Sequence, residues 1–149
     1  MIPSLSYEEL TPLILSLFEE GKDVEFIPTG NSMRPLLQSG ENRVILTKPK
    51  GKLKKYDIPF FRRHNGQYVL HRIIGVKDRG YLCCGDGQIT KEYPVTDSMI
   101  IGVVKGYYQQ NGKYVDVNTS LVYRVYARLW VFSRPVRALP ARIKRMFRK

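Results

Sequence analysis

The chain turns at Thr29-Gly30-Asn31-Ser32-Met33-Arg34-Pro35, directly after the short apolar run 24–28. Gly30 tolerates φ values that strain other residues, whereas Pro35 fixes its own φ and has no N–H group to donate. This spacing of glycine, serine and proline predicts a turn that leaves a strand, with the Ser32 hydroxyl pointing into a cleft. Ser32 is therefore a candidate nucleophile, provided that the chain supplies a base elsewhere.

Two histidines are available as that base. His71 lies in the apolar segment 68–76, which is predicted to be a buried strand, and His64 lies beside Asn65-Gly66 at a predicted exposed hairpin tip. We expect His71 to act as the base, because an unperturbed pKa of about 6.5 suits proton transfer at cellular pH. Activity should then fall below about pH 6.5. A buried histidine with only a structural role is the alternative.

A second predicted turn carries an acid. In Gly85-Asp86-Gly87 an aspartate lies between two glycines, so that serine, histidine and acid follow one another along the chain. A histidine base needs such an acceptor on its second ring nitrogen, which fixes the tautomer and stabilises the imidazolium. The backbone N–H of Ser32, together with the turn at Gly30-Asn31, would hold the oxyanion.

These motifs, together with others between them, resemble the type I signal peptidases and their relatives, the self-cleaving repressors of the SOS response. The resemblance covers roughly residues 24 to 106. It rests on the ordered motifs Gly30-x-Ser32-Met33-x-Pro35, Tyr56-Asp57-Ile58, His71-Arg72-Ile73-Ile74-Gly75, Gly85-Asp86 and Ile101-Gly102-Val103-Val104. The position of His71 is usually lysine in bacterial signal peptidases, and histidine marks the eukaryotic and sporulating-bacterial branch.

The resemblance implies a serine endopeptidase that removes a leader or signal segment from a peptide or small protein at a membrane surface. Ser32, His71 and Asp86 would be the catalytic residues, and the substrate would carry small side chains before the cut. In the histidine branch the acid often lies several residues later, so Glu92 is the alternative to Asp86. Asp86 could also be structural, and self-cleavage is left open.

A rival interpretation is a catalytically silent module that keeps the peptidase-like fold. Such a module would dock on an anionic membrane or on an acidic partner. The presence of serine, histidine and acid together argues against it.

The pattern of apolar residues predicts a mainly β fold. Ser6-Tyr7-Glu8-Glu9 has the form of a capping box and predicts a helix over 6–21. Period-two segments then predict seven strands at 24–28, 43–47, 57–62, 68–76, 80–84, 99–108 and 113–117. Local hairpins between short strands indicate a coiled antiparallel sheet or a partly closed β-barrel, which the resemblance also implies. We assign residues 1–118 to this peptidase-like domain, with its catalytic β-core at 24–118.

The 149 residues suit one domain with a substantial core. Two histidines and the adjacent Cys83 and Cys84 match no zinc-ligand spacing, so no metal or cofactor is expected and the cysteines are predicted to be buried free thiols. No N-terminal signal and no run of about 20 apolar residues is visible, which predicts a cytoplasmic or peripheral membrane location.

The net charge of +12 is concentrated at one end of the chain, where residues 119–149 contain nine of the 25 Lys and Arg and no acid. The apolar residues of this segment recur at helical spacing and predict a basic amphipathic tail that binds an anionic membrane surface. Leu121, Val122, Val125, Leu129 and Phe132 form its apolar arc. Packing on the domain is the alternative, and the absence of a nucleic-acid-binding motif argues against nucleic acid. The lysine-rich segment 48–55 is predicted to be a solvated loop.

Overall fold

The computed structural model describes residues 6–147, apart from the side chain of Ala141. The predicted absence of a basic leader concerns Met1–Leu5, and the predicted tail ends at Arg148 and Lys149. Both segments lie outside the described residues.

Helix α1 spans Tyr7–Glu19 and begins with a reciprocal cap. Ser6 Oγ accepts a hydrogen bond from Glu9 N at 3.2 Å, and Glu9 Oε2 accepts one from Ser6 N at 2.8 Å. Ile14 and Phe18 pack this helix into the core of the larger sheet. The N-terminal turn of α1 lies beside the segment that carries Ser32, because Tyr7 Oη accepts a hydrogen bond of 3.2 Å from Thr29 N.

Nine strands follow α1, and three helices end the described chain. The strands are β1 (Val24–Phe26), β2 (Arg43–Thr47), β3 (Pro59–Arg62), β4 (Tyr68–Leu70), β5 (Arg72–Lys77), β6 (Gly80–Cys84), β7 (Glu92–Val95), β8 (Ile100–Tyr108) and β9 (Tyr114–Asp116). The helices are α2 (Leu121–Phe132), α3 (Arg134–Arg137) and α4 (Leu139–Met146). A short 3₁₀ helix, Asp97–Met99, leads into β8.

The strands form two antiparallel sheets. The larger sheet has the order β1-β2-β8-β3-β4, with β9 also paired to β8, and the smaller sheet has the order β5-β6-β7. The predicted mainly β, antiparallel architecture is therefore confirmed. No closed barrel forms in the described chain, because the strands divide between two sheets that have separate hydrogen-bond ladders.

The single strand predicted over 68–76 is wrong, because the chain leaves the larger sheet at His71 and enters the smaller one. β4 pairs with β3, whereas β5 pairs with β6. His71 N makes only a long contact of 3.4 Å with Pro59 O, and Ile73 N then donates to Asp57 O at 2.8 Å. His71 therefore lies at the junction of the sheets, where simple alternation of side chains along one strand does not apply.

The pattern of apolar residues also did not predict β7, whose first residue is Glu92. β7 pairs antiparallel with β6, and Glu92 lies opposite Cys83. Both cysteines are buried and free, as predicted, and burial raises the pKa of Cys83 to about 12. The position of Glu92 beside β6 brings a carboxylate close to the junction between the two sheets.

Candidate active site

The Ser32 turn follows β1 and is held on both sides by hydrogen bonds. Gly30 has φ of +98°, in the region that favours glycine, and its N–H donates to Ser39 Oγ at 2.8 Å. Arg34 N donates to Asn31 O at 3.2 Å and closes the turn around Ser32. Ser32 is half-buried and lines a cleft of about 350 Å³ that His71 also lines.

The Gly85-Asp86-Gly87 turn packs directly against the backbone of the Ser32 turn. Gly87 N donates a hydrogen bond of 2.9 Å to Ser32 O. A Cβ atom added to Gly85 would lie 2.4 Å from Ser32 O, and one added to Gly87 would lie 2.9 Å from Asn31 O. Side chains at both positions are excluded by these contacts, so the two glycines allow one turn to support the other.

Gly85 also shows how close His71 lies to the Ser32 turn. A Cβ atom added to Gly85, which would lie 2.4 Å from Ser32 O, would also lie 3.2 Å from His71 Cδ2. Cδ2 is bonded to Nε2, and this edge of the imidazole lies against Gly85, whose turn packs on the backbone of Ser32. No hydrogen bond joins Ser32 Oγ to this ring in residues 6–147, and catalytic contacts in ligand-free enzymes are commonly looser than in complexes.

The opposite edge of the His71 ring faces Glu92. His71 Nδ1 lies 3.2 Å from Glu92 Oε1, although the ring is not aligned for a linear N–H···O hydrogen bond. Glu92 is in turn held by Arg63, whose Nε lies 3.1 and 3.0 Å from the two carboxylate oxygens. Arg63 Nη2 contacts the same carboxylate. The His71 ring therefore has a carboxylate beside Nδ1, and its Cδ2 edge lies against the turn that supports Ser32.

His71 is only 1% exposed, and Phe61 packs against it with ring centroids 6.1 Å apart. Burial lowers the pKa of His71 from 6.5 to about 4, because desolvation disfavours the imidazolium more than Glu92 favours it. The positive charge of Arg63 lowers the pKa of His71 further. The ring is consequently neutral at cellular pH and able to accept a proton.

The preference for Asp86 as the partner of His71 requires correction. The Asp86 carboxylate binds the fully buried Arg72 in a bidentate pair, with Arg72 Nε 2.8 Å from Oδ1 and Nη2 2.9 Å from Oδ2. Tyr126 Oη donates to Asp86 Oδ2 at 3.1 Å, and Trp130 Nε1 donates to Asp86 O at 2.9 Å. Asp86 thus fixes its own turn and α2, whereas Glu92, the alternative, lies against His71.

Arg72, Tyr126 and Trp130 were not singled out from the sequence. Arg72 follows His71 directly in a segment predicted to be buried, and a buried arginine requires a carboxylate as its partner. This was the available signal that Asp86 pairs with Arg72 rather than with His71. The aromatic residues of α2 gave no comparable signal, since their partner, Asp86, is 40 and 44 positions away.

A candidate oxyanion hole lies at the same turn. The backbone N–H of Ser32 has no protein acceptor among the hydrogen bonds of residues 6–147. Such a free, fixed donor suits an oxyanion that develops during acyl transfer. In the same part of the chain, no group of three His, Cys, Asp or Glu side chains is placed to hold a metal ion.

Comparisons of the chain with protein-family models, with curated proteins and with solved structures found no match. The resemblance to signal peptidases therefore rests on the motifs of the sequence.

Proposed function

We propose that the protein is a serine endopeptidase of the signal peptidase type, which cleaves a leader or signal segment from a peptide or small protein. The observation that carries the proposal is the placement of His71, which has Glu92 Oε1 3.2 Å from its Nδ1 and lines the same cleft as Ser32. A carboxylate, an imidazole and a hydroxyl at one cleft are the groups that activate a serine nucleophile.

In the first step Ser32 Oγ attacks the scissile carbonyl carbon and transfers its proton to His71. The resulting oxyanion accepts a hydrogen bond from the Ser32 N–H. The C–N bond then breaks, the leaving amine takes the proton from His71, and the new N-terminus departs. A water molecule hydrolyses the acyl-serine ester by the same proton path, which restores the serine and releases the new C-terminus.

Glu92 acts in this scheme as a positioning residue, because it contacts His71 rather than the reacting atoms. Its charge favours the imidazolium that forms during each step, and Arg63 holds the carboxylate in place. Asp86 positions the nucleophile differently, by holding the turn whose Gly87 N–H binds Ser32 O.

The test is labelling by a serine-reactive fluorophosphonate, followed by peptide mapping of the modified residue. We expect labelling at Ser32, no labelling of Ser32→Ala, and strongly reduced labelling of His71→Gln. The exposed Ser16 and His64 provide matched controls, so Ser16→Ala and His64→Gln should label like the unmodified chain. Labelling that is indifferent to Ser32 and His71 in folded variants would refute the proposal.

A catalytically silent binding module is the second candidate. The observation in its favour is that Ser32 Oγ makes no hydrogen bond to His71 in the described chain. A folded protein that neither reacts with fluorophosphonates nor cleaves any peptide would favour this candidate.

We further propose that the enzyme works at an anionic membrane surface. In α2 the apolar arc predicted from the sequence faces outward, whereas Tyr123 and Ala127 are buried against the core of the larger sheet. The exposed apolar residues of the C-terminal helices are Leu121, Val122, Val125, Leu129, Phe132, Val136, Leu139, Ile143 and Met146. Seven Lys and Arg and no acid accompany them between residues 119 and 147. A surface that is both apolar and cationic is complementary to anionic lipid.

Within residues 6–147, none of the helices combines the length and the apolar character that crossing a bilayer requires.

A further inference from the structure

The cleft beside Ser32 extends into an aromatic pocket whose walls come from four different elements. We use this name for the space bounded by Tyr7 of α1, Phe26 of β1, Phe60 of β3 and Tyr68 of β4. Phe60 lies at the centre of the group, with ring centroids 5.5 Å from Tyr7, 5.4 Å from Phe26 and 6.0 Å from Tyr68.

The aromatic pocket has a closed floor and accessible walls. Phe60 is only 2% exposed, and Met33 and Leu37 are also buried beneath the cleft. Tyr7, Phe26 and Tyr68 are each half-buried, so one part of every ring faces the open space. The floor therefore belongs to the hydrophobic core, whereas the walls present partly exposed aromatic surface to the cleft.

The aromatic pocket is continuous with the position of the nucleophile. Tyr7 Oη lies 3.2 Å from Thr29 N and 3.3 Å from Thr29 Oγ1, three residues before Ser32. Ser32 and His71 line the same cleft as the three aromatic walls. A peptide whose scissile carbonyl reaches Ser32 would thus present a neighbouring side chain to this space.

The size of the cleft distinguishes between classes of side chain. Its volume of about 350 Å³ lies in the range of sites that take up small organic ligands. A single alanine methyl would leave most of the aromatic surface in contact with water, whereas a leucine, methionine or phenylalanine side chain would cover it.

We infer that the substrate carries a large apolar or aromatic side chain close to the scissile bond, and that the aromatic pocket binds it. The inference rests on the proposed function, since it specifies the substrate class of the same site. It departs from the small side chains that the resemblance to signal peptidases implies. The energy of binding would come from apolar surface, with Tyr7 and Phe26 as specificity-determining residues.

The experiment begins with digestion of a proteome-derived peptide library by the full chain, with the cut sites read by mass spectrometry. We expect Leu, Met, Phe or Tyr to be enriched at one fixed position next to the cut. Two quenched fluorescent peptides, which differ only by Leu or Ala at that position, then give a ratio of kcat/KM. We expect the Leu peptide to be favoured about 10- to 200-fold, the range that apolar pockets provide.

Variants link this ratio to the aromatic pocket. Phe26→Ala and Tyr7→Ala should each reduce the Leu-to-Ala ratio several-fold, whereas Ile27→Ala should preserve it, because Ile27 is exposed outside the cleft. Both peptides meet the same folded fraction of enzyme, so the ratio remains valid even where a variant is partly unfolded. A ratio near one in the unmodified chain, or one unaffected by both pocket variants, overturns the inference.

The two proposals fail in different ways. If Ser32 reacts with fluorophosphonates but the library yields no cut, peptide aldehydes ending in Leu or Ala are compared as competitors of labelling, and equal competition overturns the inference alone. If Ser32 does not react and no peptide is cut, the proposed function is overturned, and the inference with it.

Discussion

Gly87 N donates a hydrogen bond of 2.9 Å to Ser32 O, so the turn at 85–87 directly supports the turn that carries the candidate nucleophile. The two segments are more than 50 residues apart in the chain, and only glycines allow their backbones to approach this closely. Because Asp86 binds Arg72 and α2 supplies Tyr126 and Trp130, the position of Ser32 depends on a buried polar network behind the cleft.

Gly85→Ala should displace the Ser32 turn, because the new Cβ would lie 2.4 Å from Ser32 O and 3.2 Å from His71 Cδ2. A shift of about 1 Å in a reacting group can cost about 10²-fold in rate, so we expect kcat/KM to fall by that order. Gly75→Ala is the control, since its Cβ would meet Leu82 at an ordinary 3.7 Å. Equal activity of the two variants would contradict the supporting role of the turn.

Glu92→Gln should impair catalysis more than folding. The variant removes the charge beside His71 Nδ1, and we expect kcat/KM to fall about 10²-fold or more, with only a small change in thermal stability. Glu25→Gln serves as the control, because Glu25 also forms a pair with an arginine, Arg43, but both side chains are exposed and neither lines the cleft.

Asp86→Asn should show the reverse pattern. It leaves the fully buried Arg72 without a compensating charge, which typically costs about 3–5 kcal/mol of stability. Thermal unfolding and kcat/KM per folded molecule, measured together, separate the roles. If Glu92→Gln were fully active and Asp86→Asn folded but inactive, Asp86 would be the residue that orients the imidazole.

The sequence predicted the antiparallel β character because alternating apolar residues mark the strands that have one buried face. It missed β7, since Glu92–Val95 is short and contains Pro94, which normally argues against a strand. The pattern of apolar residues also predicted one strand through His71, because local periodicity carries no information about which sheet a segment joins. Both errors arise because strand pairing depends on distant parts of the chain.

The same cause explains why the sequence favoured Asp86 over Glu92 as the acid beside His71. Sequence spacing identified both acids but could not show that Arg72 binds the first and Arg63 holds the second. The apolar arc of α2 was correctly grouped in the sequence. The opposite face, which packs on the domain through Tyr123 and Ala127, became evident only in the folded structure.

The activity should remain nearly constant from pH 7 down to about pH 5 and fall as the pH approaches 4. The reason is that burial lowers the pKa of His71 to about 4, so that the base stays neutral well below 6.5. The sequence-based expectation of a decline below pH 6.5 is replaced by this lower value. A pH profile of kcat/KM, with unfolding monitored in parallel, measures it, and an inflection near 6.5 in the folded enzyme would contradict the desolvated environment of His71.

Stability should depend on pH through the same residue. The unfolded chain takes up a proton on His71 at about pH 6.5 and the folded chain only near 4, so stability is lost as the pH falls through this interval. The two values bound the loss at about 3 kcal/mol. His71→Gln should remove most of this dependence, whereas His64→Gln, at an exposed position, should leave it unchanged. The free energy of unfolding at pH 7 and pH 5 provides the comparison.

Membrane binding should depend on the outward face of α2 and on anionic lipid. Phe132 is 85% exposed, and moving such a side chain from water into the bilayer interface contributes up to about 1.5–3 kcal/mol. Phe132→Ser should therefore weaken sedimentation with vesicles containing phosphatidylserine roughly tenfold or more. Leu15→Ser, at an exposed site on α1, should have little effect.

Added salt should weaken membrane binding by screening the basic residues around this outward face of α2, including Arg124 and Arg128. Equal binding to purely zwitterionic vesicles, or equal loss in both variants, would show that this face does not hold the enzyme at the membrane.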